Sequence, residues 1–156
     1  MTNHINDLAE ACIVIRPSGK AVPFDDGSVA AGWISGLTAG IFVGKNSSGK
    51  MVHADARSSV RIPALGALAL NASQSYAVGS KTGSEDQKSV DAYADYLTFK
   101  NTGFSLTPGQ PIWLSSGGGI TQTMPTEVGN LRQQVGFAVS ATEYAVRIGP
   151  AEINGI

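Results

Sequence analysis

Two alternating runs stand near the C-terminus, Val135-Gly136-Phe137-Ala138-Val139 and Tyr144-Ala145-Val146-Arg147-Ile148. Successive side chains of a strand point to opposite faces of a sheet, so alternation with a period of two indicates strands. In the second run Tyr144, Val146 and Ile148 fall on one face. The short connection at Ser140–Glu143 predicts that the two strands form an antiparallel hairpin.

Other short apolar runs, separated by turns, occur throughout the chain. Before the C-terminal hairpin, Ile112–Ser115 and Ile120–Thr123 flank a turn at Ser116–Gly119. We predict further strands at Ala11–Arg16, Lys20–Phe24, Val29–Ser35, Ile41–Lys45, Met51–Ala54 and Ser75–Ser80.

Two segments are less regular. Arg61–Leu70 is apolar but interrupted by Pro63 and Gly66, which predicts an irregular segment or an edge strand. Ser84–Leu97 fits a short helix that begins with a capping box. It fits equally well a loop followed by a strand at Ala92–Lys100, and both interpretations stay open.

Composition agrees with a β protein. Valine and isoleucine outnumber leucine by 23 to 9, and branched side chains suit a pleated sheet. A hydrophobic content of 42% is enough to fill a core. We therefore expect an all-β fold, a small β-barrel or β-sandwich of short antiparallel strands with at most one short helix. Residues 1–10 are expected to form an N-terminal arm, and residues 11–156 a single β domain.

Charged residues are scarce. They make up 15% of the chain, against about 25% in an average soluble domain. The net charge of −1 provides no excess of cations for phosphate contacts, so we expect no nucleic-acid partner. Gly27–Gly44 and Asn101–Thr126 contain no charge at all. We predict that these two stretches form core or subunit interface. The first also has glycines at every fourth position, a spacing found in membrane helices, but its few strongly apolar residues argue against a membrane span.

Catalytic and ligand-binding motifs are incomplete. Gly44–Lys50 matches the spacing of a phosphate-binding loop, but Met51 follows where Ser or Thr is required, so we predict a hairpin turn. His53, Asp55 and Ser58 could in principle form a hydrolytic site, yet no exposed nucleophile motif accompanies them, and we predict a solvated surface histidine. We expect no enzyme activity, no cofactor and no metal.

Large aromatic residues are the remaining candidates for a functional role. We expect a place in the core or in a subunit interface for Trp33, Phe42, Trp113, Phe137 and Tyr144. The alternative is that Trp33 and Trp113 form a platform on which a sugar stacks, as in a carbohydrate-binding module.

The C-terminal third resembles a known family. The similar segments are Leu106-Thr107-Pro108-Gly109-Gln110-Pro111-Ile112-Trp113-Leu114-Ser115, Gly118-Gly119-Ile120-Thr121, Pro125, and Val135-Gly136-Phe137-Ala138-Val139-Ser140-Ala141-Thr142. Together they resemble the small capsid decoration proteins (cement, or head-fibre-like, proteins) of tailed bacteriophages.

The resemblance implies a structural virion protein, made in the host cytoplasm, that binds the outer surface of the assembled capsid. Its partners would be the major capsid protein and itself, as a homotrimer or a dimer. Ile5, Leu8 and Ile13 are the expected capsid contacts. A tail-fibre or collar β domain is the alternative within the same class of particle.

Overall fold

The computed structural model describes residues 12–16, 20–23, 40–68 and 89–155. These residues are almost entirely strands and turns, in agreement with the expected all-β class. The strands are β1 (Cys12–Arg16), β2 (Lys20–Pro23), β3 (Phe42–Lys45), β4 (Met51–His53), β5 (Gly66–Leu68), β6 (Ser89–Tyr93), β7 (Asp95–Lys100), β8 (Pro111–Leu114), β9 (Ile120–Thr121), β10 (Leu131–Ser140), β11 (Glu143–Arg147) and β12 (Ala151–Ile153). One 3-10 turn covers Ser116–Gly118.

The C-terminal sheet has the order β7-β11-β10-β8-β9, and β12 pairs with the beginning of β10. Every pairing in it is antiparallel. The predicted C-terminal hairpin is therefore correct, with Ala141 and Thr142 at its turn. Because β10 is ten residues long, it contacts three other strands and forms the centre of this sheet.

The N-terminal sheet has the order β2-β1-β6-β5-β3-β4. It corrects two expectations. First, β1 and β6 are parallel, whereas we expected antiparallel strands throughout. Second, β5 lies inside the sheet between β6 and β3, although Gly66 and Pro63 favoured an edge or an irregular segment. The glycine allows the close approach, since a Cβ at position 66 would come within 3.2 Å of the Tyr93 carbonyl oxygen.

The ambiguous segment before residue 98 is extended where the structure describes it. Ser89–Tyr93 and Asp95–Lys100 are strands in different sheets, separated by one residue, Ala94. The strand interpretation is therefore correct in type, although the strand begins three residues earlier than the predicted Ala92 and is interrupted at Ala94. Residues 84–88 lie outside the described ranges. The chain passes from one sheet to the other at this point.

A β-bulge in β10 changes which residues face the core. Gln134 pairs with Trp113, but Gly136 pairs with Ile112, so one extra residue is inserted in β10. Before the bulge Leu131, Gln133 and Val135 point inward, and after it Gly136 and Ala138 do. Phe137 and Val139 are consequently on the outer face.

The two sheets share one core. The C-terminal sheet contributes Phe99, Ile112, Leu114, Val135, Tyr144 and Val146, and the other contributes Phe42 and Ala67. Tyr144 lies at the centre, with ring centroids 5.6 Å from Phe99 and 6.5 Å from Phe42, and its hydroxyl donates a 3.1 Å hydrogen bond to the carbonyl oxygen of Gly40. The arrangement is a packed pair of sheets, and the strand order does not close into a barrel.

A buried amide completes the contact between the two layers. Gln133 accepts a hydrogen bond from the Ala64 N–H at 2.7 Å and donates to the carbonyl oxygens of Ala64 and Gly149, both at 3.0 Å. Its side chain thus satisfies backbone groups that no strand pairs with, which is why a polar residue stands at an inward position of β10.

Several expectations concern residues outside the described ranges. These are the arm at residues 1–10 with Ile5 and Leu8, the strands at 29–35 and 75–80, and Trp33. The structure gives the backbone of Ile13 within β1 and no description of its side chain.

Candidate functional site

The outer face of the C-terminal sheet carries exposed apolar side chains. Phe137 is 41% exposed and Val139 is 49% exposed, both in the second half of β10. Sequence alternation did not indicate this orientation, because the bulge reverses the facing of every residue of β10 after Val135. Phe137, expected in the core or in an interface, is therefore not a core residue.

Cross-strand pairing identifies the neighbours of Phe137. It stands opposite Pro111 of β8 on one side and Ala145 of β11 on the other. Half-buried Trp113 follows on the same face of β8, opposite Gln134. We call this group, Pro111, Trp113, Phe137, Val139 and Ala145, the outer apolar face.

Charged residues lie only around the outer apolar face in the described part of the sheet. Glu143 pairs with Lys100 at one end of β11, and Arg147 pairs with Asp95 at the other. Further along β10, Arg132 forms a 2.6 Å salt bridge with Glu152 of β12. The face therefore has an uncharged centre with a charged rim, the distribution that protein interfaces show.

The uncharged stretch 101–126 separates into two environments. Ile112, Leu114 and Gly118 are buried, whereas the loop before β8 is exposed over most of its length and the segment after β8 is exposed in part. Burial within this chain accounts for the missing charge only in the first group. For the loops, the expected role in an interface stays a prediction.

A second candidate site surrounds Asp55. This buried carboxylate accepts hydrogen bonds from the backbone and the side chain of Arg57, and from the Gly117 N–H at 3.0 Å. Its shortest contact is 2.6 Å to Arg57 Nη2. The carboxylate thus ties the loop after β4 to the glycine turn after β8.

These contacts determine the charge state of Asp55. Burial alone would raise the pKa of its carboxyl group, but the hydrogen bonds from Arg57 and Gly117 outweigh that effect, and the pKa lies below its usual value. Burial lowers the pKa of His53, and the charge of Asp55 partly offsets this. His53 is half-buried, so the expectation of a solvated surface histidine is wrong.

Beside Asp55 an open cleft of about 390 Å³ lies between the 56–57 loop and the segment from β8 to β10. Its lining consists of Ala56, Arg57, Leu114, Ser115, Ser116, Thr121, Thr123, Met124, Pro125, Thr126, Glu127 and Asn130. We call it the polar cleft. None of the lining residues was predicted from the sequence to bind a ligand, because they meet only through the pairing of distant strands.

The sequence motifs have structural roles here. Residues 46–49 form the turn of the β3–β4 hairpin, where the Asn46 side-chain oxygen accepts hydrogen bonds from the Ser48 and Lys50 N–H groups. The predicted hairpin turn is thus confirmed. Of the residues considered above for a hydrolytic site, Asp55 binds Arg57 and Gly117, and the backbone N–H of Ser58 donates to Asn130.

No family model, no curated protein and no solved structure matches this chain. Within the described ranges, no three His, Cys, Asp or Glu side chains are grouped closely enough to hold a metal ion. The same residues include no helix that is both long and apolar enough to cross a bilayer.

Proposed function

We propose that this chain is a non-catalytic structural protein that acts by binding other protein subunits, and more specifically a decoration protein on the outer capsid surface of a tailed phage. The observation that carries the first part is the outer apolar face. The resemblance of residues 106–142 to capsid decoration proteins carries the second.

Exposure of the outer apolar face favours contact with a partner. A phenylalanine and a valine that remain in water forgo a transfer free energy of about 25 cal/mol for each Å² of apolar surface. Phe137 stands on a central strand and pairs with Pro111 of β8 and Ala145 of β11, while Val139 follows two residues later, at a second register shift between β10 and β11. A rigid apolar centre inside a polar rim is the arrangement that concentrates binding energy in protein interfaces.

In this proposal each copy bridges neighbouring major capsid protein subunits and stabilises the assembled shell. Self-association as a homotrimer or dimer multiplies the contacts, so that modest single-site affinities sum to firm attachment. Ile5, Leu8 and Ile13 remain proposed capsid contacts near the N-terminus. Their role is independent of the outer apolar face.

Co-sedimentation with expanded, undecorated tailed-phage capsids tests the proposal. We expect the purified protein to pellet with the capsids, and the Val139→Ser variant to pellet at least about tenfold more weakly because it removes an apolar contact. Val128→Ser is the matched control, since Val128 is 74% exposed but lies outside the outer apolar face. Wild-type protein that stays in the supernatant would contradict the capsid assignment.

Analytical ultracentrifugation separates the general part of the proposal from the specific part. If Val139→Ser reduces self-association or capsid binding while Val128→Ser does not, the outer apolar face is an interaction surface. Equal behaviour of both variants and the wild type in every assay would refute it.

A further inference from the structure

We infer that the polar cleft binds a neutral, polyhydroxylated ligand, the chemical class to which a pyranose sugar belongs. This binding site is separate from the outer apolar face and goes beyond the proposed structural function. It also differs from the tryptophan platform that the sequence left as an alternative, because Trp113 does not line the cleft.

The first argument is the density of hydroxyl groups. Five lining residues carry one, namely Ser115, Ser116, Thr121, Thr123 and Thr126. A hydroxyl both donates and accepts, and it can rotate to match a ligand group of the same kind. The volume of about 390 Å³ is within the range of small-molecule sites, roughly 300–1,000 Å³.

The second argument is a set of three planar side chains. Arg57, Glu127 and Asn130 each keep hydrogen-bonding capacity beyond the bonds they make with other described residues, so each can bind a ligand hydroxyl. Asn130 donates to Glu127 Oε2 at 3.1 Å. Glu127 Oε1 accepts no hydrogen bond within the described residues and can accept one from a ligand.

These polar groups are held in place before any ligand binds. The guanidinium of Arg57 is fixed by Asp55 through Nε and Nη2. The side-chain oxygen of Asn130 accepts a 2.8 Å hydrogen bond from the Ser58 N–H, while its amide nitrogen binds Glu127. Preorganisation of this kind lowers the entropy lost on binding.

The charges at the polar cleft disfavour anionic ligands. The positive charge of Arg57 is balanced by Asp55 at 2.6 Å, a carboxylate that is only 5% exposed. Glu127 forms no ion pair with another described residue and adds a negative charge to the lining. An anion would therefore meet a slightly negative site, whereas a neutral polyol pays no such electrostatic cost.

The remaining lining is apolar. Ala56, Leu114, Met124 and Pro125 provide carbon surface beneath and beside the polar groups. A pyranose ring has C–H faces as well as hydroxyls, so it can pack its faces on this surface while its hydroxyls bond to the rim. A ligand of this kind would then contact both the apolar and the polar residues of the lining.

Titration of the isotope-labelled full chain with single sugars, followed by amide NMR shifts, tests the inference. The probes are glucose, galactose, mannose and N-acetylglucosamine, with N-acetylneuraminic acid as the anionic comparison. We expect at least one neutral sugar to shift residues 56–57 and 115–130, with a dissociation constant of about 1–10 mM. Glu127→Ala should weaken that binding about tenfold, because it removes a charged acceptor.

Glu152→Ala is the matched control, since Glu152 is exposed and does not line the cleft. It should leave the affinity unchanged. The inference is overturned if no neutral sugar shifts the cleft residues, if the shifts cluster around Trp113 instead, or if the anionic sugar binds as tightly as the neutral ones. None of these results bears on capsid binding, so the two proposals can fail separately.

Discussion

Replacement of Asp55 by asparagine should destabilise the fold. The two backbone donors at this site use different oxygens, since the Arg57 N–H bonds Oδ1 and the Gly117 N–H bonds Oδ2. An asparagine has a single side-chain oxygen, so in either orientation one backbone N–H faces an NH₂ group instead of an acceptor.

The expected cost follows from this geometry. One charge-assisted hydrogen bond to a backbone donor is lost, which corresponds to about 1.5–3 kcal/mol. The Arg57 side chain is 59% exposed, so water replaces its lost partner and adds little to the cost. We therefore expect Asp55→Asn to lower the free energy of unfolding by about 2 kcal/mol at pH 7.

Urea denaturation followed by tryptophan fluorescence, at pH 7 and in acid, measures this effect and its pH dependence. The pKa of Asp55 is lower in the folded chain than its unfolded value of about 3.9. The ionised carboxylate of Asp55 thus stabilises the fold fully when the pH is above the pKa of the unfolded chain. This contribution is lost as the pH falls through the pKa of the folded chain. The difference between the wild type and Asp55→Asn should shrink as pH falls below about 4.

Glu152→Gln is the control, because it alters an exposed ion pair. It should change stability by less than about 1 kcal/mol. A stability of Asp55→Asn within about 0.5 kcal/mol of the wild type at pH 7 would refute the reasoning, since surface substitutions commonly have effects of that size. A difference that does not change with pH would refute the assigned charge state.

Three further substitutions test the core. Tyr144→Phe removes the buried hydrogen bond to Gly40 and should lower the free energy of unfolding by about 1–3 kcal/mol in chemical denaturation. Burial raises the pKa of Tyr144, so the folded wild type resists ionisation of this side chain. As pH rises above about 10, the wild type should therefore lose the stability that the neutral hydroxyl provides, whereas the variant has no such hydroxyl to ionise. Gly118→Ala should lower the melting temperature far more than Gly117→Ala, since both have positive φ but only at Gly118 would a Cβ lie 2.6 Å from a backbone oxygen of β3. Gln133→Leu removes the hydrogen-bond partner of three backbone groups. We expect the free energy of unfolding to fall by about 3 kcal/mol in the same denaturation assay. An unchanged free energy of unfolding would show that these bonds contribute nothing to stability.

Hairpins were predictable because their signals are local. The turns at residues 46–49 and 141–142, and the alternation of β11, can be recognised from a few neighbouring residues. The parallel pairing of β1 with β6 was not predictable in this way, because the two strands are far apart in the sequence. The interior position of β5 was missed for the same reason. Gly66 looks like a strand breaker in the sequence, and only the structure shows that the Tyr93 carbonyl oxygen lies too close for a larger residue.

The candidate sites depended on still less local information. Val135, Gly136 and Phe137 alternate in size whether or not a bulge is present, so the exposure of Phe137 could not be deduced from the pattern. The polar cleft joins Arg57 to Asn130, and no periodicity connects them. The available signal was the Asp55-Ala56-Arg57 spacing, which suits an ion pair across a bend.

The place of β6 has a consequence for the order in which the chain can fold. Since β6 lies between β1 and β5, the N-terminal sheet cannot be completed until residue 93 has left the ribosome. The C-terminal sheet, by contrast, uses only residues 95–153, so its pairing does not depend on any strand of the N-terminal sheet. During synthesis the edges of β1 and β5 that later pair with β6 have no partner. At that stage the nascent protein is most exposed to aggregation.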